Sequence, residues 1–224
     1  MKKYKMTSET KIVNGVTLHR IKALISFDDI HKGDIGGFIE KEENLTHDGN
    51  AWVSGDAKVY GNAWVSGDAE VYGSAVVCGN VEVYDSAVVC GEARVYGEAR
   101  VYGNAWVSGD AEVYGSAVVC GSAVACGEAR VYGEAWVCGD AKVCSDAKIC
   151  SDADYICFKG LGSRNCNTTF FKCKDGHIHV SCGCFSGNIE EFENKVKETH
   201  GYNKYAKEYL ACIQVVKIHF EIDN

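Results

Sequence analysis

Between Gly49 and Ile156 the chain is written in six-residue blocks, eighteen in a row without insertion, each close to G-x-A-x-V-x. Gly holds the first place in 15 blocks, Ala the third in 17 and Val the fifth in 15. An unbroken short period constrains the fold more than anything else here, because one unit cannot bury its apolar side alone and must stack on its copies. Ala and Val lie two residues apart and so point to the same side of a short strand. The Gly and the Asn, Asp, Ser or Glu after it turn the chain: Gly accepts positive φ, and Asn or Asp bonds the local backbone. Three strands and three corners make a triangular coil of 18 residues. The expected fold class is mainly β, a left-handed parallel β-helix of six to seven coils with a small α+β C-terminal domain. The expected division is a hairpin and cap over 1–48, the β-helix over 49–156 and the α+β domain over 157–224. Six coils at about 4.8 Å each give a stack of about 29 Å.

An 18-residue coil sorts the outward residues into columns. One wall carries Trp52, Glu70, Val88, Trp106, Val124 and Lys142; the second carries Lys58, Val76, Arg94, Glu112, Arg130 and Lys148; the third carries Trp64, Glu82, Arg100, Val118, Trp136 and Asp154. The second also aligns Tyr60, Tyr96, Tyr114 and Tyr132. Aromatics beside basic residues suit single-stranded nucleic acid. Outward Tyr and Val are also ordinary strand formers, and the net charge of −8 disfavours a polyanion. Nucleic acid is therefore not an expected partner. The stretch Gly61 to Gly79 recurs letter for letter as Gly103 to Gly121, seven blocks later. Seven is not a multiple of three, so the copy falls on a different wall. A site spread over one wall does not survive that shift, and the rod reads as a scaffold or spacer. Outward Trp52, Trp64, Trp106 and Trp136 on two walls are costly in water, which points to a homo-oligomer, dimer or trimer.

No apolar run has membrane-spanning length, and the first residues, Met1 to Ser8, lack the apolar stretch of a signal peptide. A cytoplasmic location is the resulting expectation. It predicts that most of the 13 cysteines are reduced. Seven of them, from Cys78 to Cys150, share the last position of the block, where Cys serves as a small strand hydrophobe. Cys126 and Cys144 become wall neighbours, as do Cys120 and Cys138.

Both ends of such a rod expose strand edges and need covers. In front, Ile12-Val13 and Val16-Thr17-Leu18 flank Asn14-Gly15, a hairpin signal. Gly36-Gly37-Phe38-Ile39 is a candidate partial coil. Behind, Phe170 to Lys174 and His177 to Cys182 flank Asp175-Gly176, a second hairpin. Asn188 with Glu191 signals a helix start before Ile189, Phe192 and Val196. A second helix is expected from about Asn203 to Ile218. The sum is a two-stranded sheet covered by two helices.

Gly33-Asp34-Ile35-Gly36-Gly37-Phe38-Ile39-Glu40, Glu43-Asn44-Leu45 and His47-Asp48-Gly49-Asn50-Ala51-Trp52-Val53, followed by V-Y-G-[ND]-A blocks, resemble the lead-in of the YdcK-type hexapeptide-repeat proteins. The resemblance spans roughly residues 10 to 153. It implies a bacterial, phage or prophage setting and a left-handed β-helix. Such proteins are often called transferases because other rods of this kind are acyltransferases, an analogy of fold. The tail, with Gly162-Ser163-Arg164-Asn165 and Cys182-Gly183-Cys184-Phe185, is similar to a domain that recurs in phage proteins; that likeness brings no activity with it.

Chemistry has few places to sit. Acyltransferases on this rod take a catalytic His from an inserted loop, but the rod has neither loop nor His. His47, just outside it, is the base of the alternative reading, an acetyl-CoA-dependent acyltransferase. Cys184 with His200 is a conceivable nucleophile and base. Tail cysteines with His177 and His179 contain the donors of a zinc site, but no C-x2-C knuckle is present and strand alternation sets both His opposite Cys182. No catalytic residue, cofactor or metal is therefore expected. The remaining candidate is the loop Gly160 to Asn165, whose backbone N–H groups suit a phosphate or carboxylate. Arg164 would supply charge, with Ser163, Asn165 and Thr168 as donors. The expected function is a non-enzymatic phage-type binding protein. In it the rod is a scaffold and the tail holds either a small nucleotide-like anion, sequestered from the host, or a host defence protein.

Overall fold

The computed structural model describes residues 1–222. From Trp52 to Ile149 each block folds as a short strand and a corner, and the strands stack into three parallel sheets. Cα partners follow the columns read from the sequence: Trp52 with Glu70, Glu70 with Val88, Val88 with Trp106, Trp106 with Val124 and Val124 with Lys142 on one wall. That sheet has six strands, so the rod is a parallel β-solenoid of six coils. The inward Ala and Val side chains are buried and form one continuous apolar column. At the corners the close approach of successive coils excludes side chains. Gly97 has φ +79°, and a Cβ there would lie 3.0 Å from the backbone N and O of Gly115.

The front of the rod is closed mainly by donors, although Glu40 Oε2 accepts from Gly61 N at 2.7 Å. The hairpin Tyr4–Val13 and Val16–Ala23 turns at Asn14-Gly15 as expected, although its first arm starts earlier than the pattern suggested. The strand Ile35–Ile39 then pairs in parallel with the first coil, Phe38 opposite Lys58, and Leu45 bridges to Val65. The partial coil is thus a true rung. Within the rod, N–H groups of one coil bond carbonyls of the next, as Lys58 N does to Ala75 O, 2.9 Å. The foremost corner carbonyls therefore have no coil to answer them. Asn44 Nδ2 donates to Gly61 O and Ala63 O at 3.1 and 2.8 Å. Lys3 Nζ donates to Gly49 O and Ala51 O at 3.2 and 2.7 Å. Tyr4 and Phe27 set their rings edge-on to Trp52, which is buried. Trp52 is therefore part of the cap rather than outward surface.

The back is closed mainly by acceptors. The last coil's N–H groups meet oxygens: Trp136 N donates to Asp152 Oδ1 at 2.8 Å, Cys150 N and Ser151 N to Asp154 Oδ2 at 2.9 and 3.0 Å, and Lys142 N to Thr169 Oγ1 at 3.0 Å. The eighteenth block, Ser151 to Ile156, was expected to add a third-wall rung through Asp154. It forms a 3-10 turn at Asp152–Asp154 instead. Tyr155 stands where the interior accepts Val.

Beyond it the tail sheet has four antiparallel strands, not two: Tyr155–Leu161, Cys166–Lys172, Ile178–Cys182 and Phe185–Asn188. Its first and last strands carry Gly, Ser and Lys among the apolar residues, which hid them. Phe170, Ile178 and Val180 face the helices α1 (Ile189–His200) and α2 (Lys204–His219). Phe171 and Cys173, on the other face, join the apolar column of the rod. The sheet is thus a lid between coils and helices. Asn188 caps α1 with Glu191 as expected, and Asn203 caps α2.

Candidate functional site

The residues Gly162 to Asn165 form the turn between the first two tail strands, closed by Asn165 N to Gly162 O at 3.3 Å. Asn165 takes the left-handed conformation, φ 49°, which Asn tolerates better than most side chains. Gly162 lies under the ring of Tyr209, where any Cβ would collide. Ser163, Arg164 and Asn165 are exposed. The turn overhangs the last coil and leaves a hollow of about 350 Å³ between rod and lid. Arg164, Asn165, Asn167, Thr169 and Ser181 line it from the tail, Lys142 and Asp140 from the rod.

The structure brings two of the four expected ligand residues, Arg164 and Asn165, to this hollow. Ser163 sits in the same turn but does not line it. Thr168 does not reach it. Its side chain is fully buried on the helix side of the sheet, where Oγ1 donates to Cys182 Sγ at 3.1 Å. Adjacent strand residues point to opposite faces, so Thr169 is the threonine on the rod side. Its Oγ1 accepts from Lys142 N and donates to Cys157 Sγ at 3.5 Å. Sequence reasoning missed Lys142 and Ser181, which only the docking of lid on rod brings near Arg164.

The electrostatics are mixed. Among the described residues neither Arg164 nor Lys142 is ion-paired, whereas Asp140 is held by Lys159 at 2.6 Å. Part of the backbone cradle is already filled: Gly162 N donates to Glu208 Oε2 at 3.2 Å. Positive charge therefore comes from the two side chains, with the Asn165 and Asn167 amides and the Ser181 hydroxyl as polar neighbours.

Other candidates lie elsewhere. His47 is built into the front cap: its Nδ1 accepts from Lys3 N at 3.3 Å and its ring packs 4.4 Å from that of Tyr4. Cys184 is exposed, and the thiol that shares a hollow with His200 is that of Cys182. Cys126 and Cys144, expected as neighbours, are joined in a disulfide, while Cys120 and Cys138 remain thiols. Tyr96, Tyr114 and Tyr132 stack at 4.9 and 5.1 Å; Tyr60 lies opposite Cys78 instead. A charged hollow on the second wall, about 300 Å³, carries more carboxylates than cations, and two of its cations are ion-paired, Arg130 with Glu112 at 3.3 Å and Lys174 with Glu128 at 2.9 Å. Trp64, Trp106 and Trp136 are exposed. Trp64 and Trp136 share a wall but stand four rungs apart, about 19 Å, and Trp106 is on another, so they form no single patch. Among the described residues no helix is long and apolar enough to cross a membrane.

Comparison with curated proteins yields no match. The family model for the YdcK beta solenoid repeat matches residues 93–109, within the run of coils rather than in the lead-in or the tail. That match spans about one coil's length of the six-coil parallel β-solenoid, so this stretch is similar to the YdcK repeat.

Proposed function

We propose that the protein is a non-catalytic binding protein: the solenoid is a rigid support, and the hollow between its last coil and the lid takes a small anion of nucleotide-like chemistry. The observation that carries this reading is the convergence of two unpaired cations, Arg164 from the turn and Lys142 from the rod, on one hollow with amide and hydroxyl neighbours. A planar guanidinium forks onto phosphate or carboxylate oxygens, and a lysine adds a point charge. The volume, about 350 Å³, falls at the lower end of small-ligand sites. The rod's coils run without an inserted loop and contain no His, which removes the usual catalytic equipment of acyltransferase rods.

The test is a thermal-shift and calorimetric screen of inorganic phosphate, nucleoside mono- and diphosphates and cyclic dinucleotides. Binding weakened at least tenfold in Arg164→Ala and Lys142→Ala, but unchanged in Thr169→Ser, supports the reading. Absence of any shift, or a shift that survives both substitutions, rejects it. A second reading rests on α2, whose Val215 and Ile218 are exposed. A protein partner recovered only with those two side chains intact, together with a silent anion screen, would place the function on the helices.

A further inference from the structure

On the rod side of the tail hairpin, three donor side chains come together. The thiol of Cys173 and one ring nitrogen each of His177 and His179 lie within 4.8 Å of one another. Alternation sets the two histidines opposite Cys182, which joins the helix-side cluster with Ile178 and Val180. It also sets them on the face to which Cys173 points, because Cys173 packs with the rod's apolar column. The turn holds the three in one short loop: Cys173 N donates to His177 O, and Gly176 N to Cys173 O, both at 3.0 Å.

The outer contacts of the two rings are those that orient metal ligands. Nδ1 of His177 is engaged by the Asp175 carboxylate, which leaves Nε2 for another partner. Nε2 of His179 meets Ser186 Oγ at 2.8 Å, which leaves Nδ1. A carboxylate or hydroxyl on the far nitrogen fixes ring orientation and raises ligand basicity. The end of the rod stands directly behind the cluster, where Ala147 bridges to Cys173. Asp146 belongs to the last corner of the rod, and its carbonyl accepts from Lys174 N at 3.2 Å.

We propose that Cys173, His177 and His179 form a zinc site in the tail hairpin, where it packs on the end of the solenoid. One thiolate and two imidazoles are a zinc donor set, and a water completes the tetrahedron. Binding replaces the thiol proton with the metal and releases that proton to solvent. The ligand atoms need only close from 4.8 Å to the shorter edges of a tetrahedron, a movement of side chains on a turn. The site is separate from the Arg164 hollow, so either can stand without the other.

The test uses the full chain, stripped of metal, with its thiols reduced and Co²⁺ as the probe. One equivalent is expected to give the intense visible bands of tetrahedral cobalt and a thiolate-to-cobalt charge-transfer band, both abolished by Zn²⁺. His177→Gln and His179→Gln are each expected to weaken binding at least tenfold, and Asp175→Asn about tenfold. Cys182→Ser and Cys184→Ser leave it unchanged. Cys173→Ser removes the charge-transfer band; because Cys173 is buried, the exposed-turn variant His177→Gln, folded by circular dichroism, is the decisive one. Weak octahedral cobalt bands, or charge transfer that persists undiminished in both histidine variants, overturns the proposal.

Discussion

Single residues at the ends of the rod carry more of its stability than their surroundings suggest. Asp154 is the clearest case. Burial raises its pKa, but Lys172 Nζ at 2.9 Å and the Cys150 thiol and N–H outweigh it and bring the carboxyl down to about 2. A folded-state pKa below the unfolded one means that the stabilisation is complete above about pH 4 and disappears as pH falls towards 2. The shift corresponds to roughly 2 kcal/mol at most. Asp154→Asn is therefore expected to lower stability by about 1–2 kcal/mol at pH 7 and to match the parent near pH 2. Urea midpoints of both proteins across that range check it; a gap that stays constant with pH would mean that the ion pair is not its source. None of this was legible in the sequence. Asp154 read as an outward wall residue because the period ran through it, and only Tyr155 in the Val place marks the block as the one that leaves the rod.

At the level of elements, the two caps differ for a directional reason. Around the corners of this rod, N–H groups of one coil bond carbonyls of the next, so the first coil leaves mainly carbonyls unanswered and the last coil mainly N–H groups. The chain accordingly supplies Lys3 and Asn44 in front, and Asp152, Asp154 and Thr169 behind. Lys3 is buried to 1 % exposure, and burial lowers its pKa to about 8. Lys3→Met keeps the stem beside Phe27 but leaves two corner carbonyls without a donor. The expected loss is about 1–3 kcal/mol, measured by chemical denaturation, with Lys2→Met as the exposed control near zero. Equal effects of the two substitutions would show that the bonds to Gly49 and Ala51 contribute nothing. Elements whose apolar period was clean were readable in advance: the coils, the Asn14-Gly15 hairpin, the two capped helices and the Asp175-Gly176 hairpin. The outer strands of the tail were not, because strands that edge a small sheet alternate poorly. That gap misplaced Thr168: without the first tail strand and its turn, nothing said which threonine faced the rod. The same gap hid the place of Lys142, which depends on how the lid docks; the cluster around Cys173 lies within the readable Asp175-Gly176 hairpin, and there only the choice among the tail cysteines was missing.

The whole molecule is a stack whose parts touch only their neighbours. Lid contacts reach back no further than the last coils, through Lys174–Glu128, Lys142–Thr169 and Lys174 N to Asp146 O. Among the described residues the hydrogen bonds and bridges of the front cap reach forward no further than Val65. Coils between them see only copies of themselves, with Ala and Val inside every wall. The internal duplication obeys the same logic, since it sets Trp64 and Trp106 on different walls without disturbing the interior. Removing residues 73–90, one full coil, should therefore shorten the rod by about 5 Å and leave both caps seated. Small-angle scattering reads the length, and the Arg164-dependent thermal shift reads whether the lid still docks on its wall. Removing only 73–78 should also fold, but with the lid turned by one wall relative to the front hairpin. A molten or aggregated product from the 18-residue deletion, when the intact chain is well folded, would show that stability is shared along the rod rather than summed coil by coil.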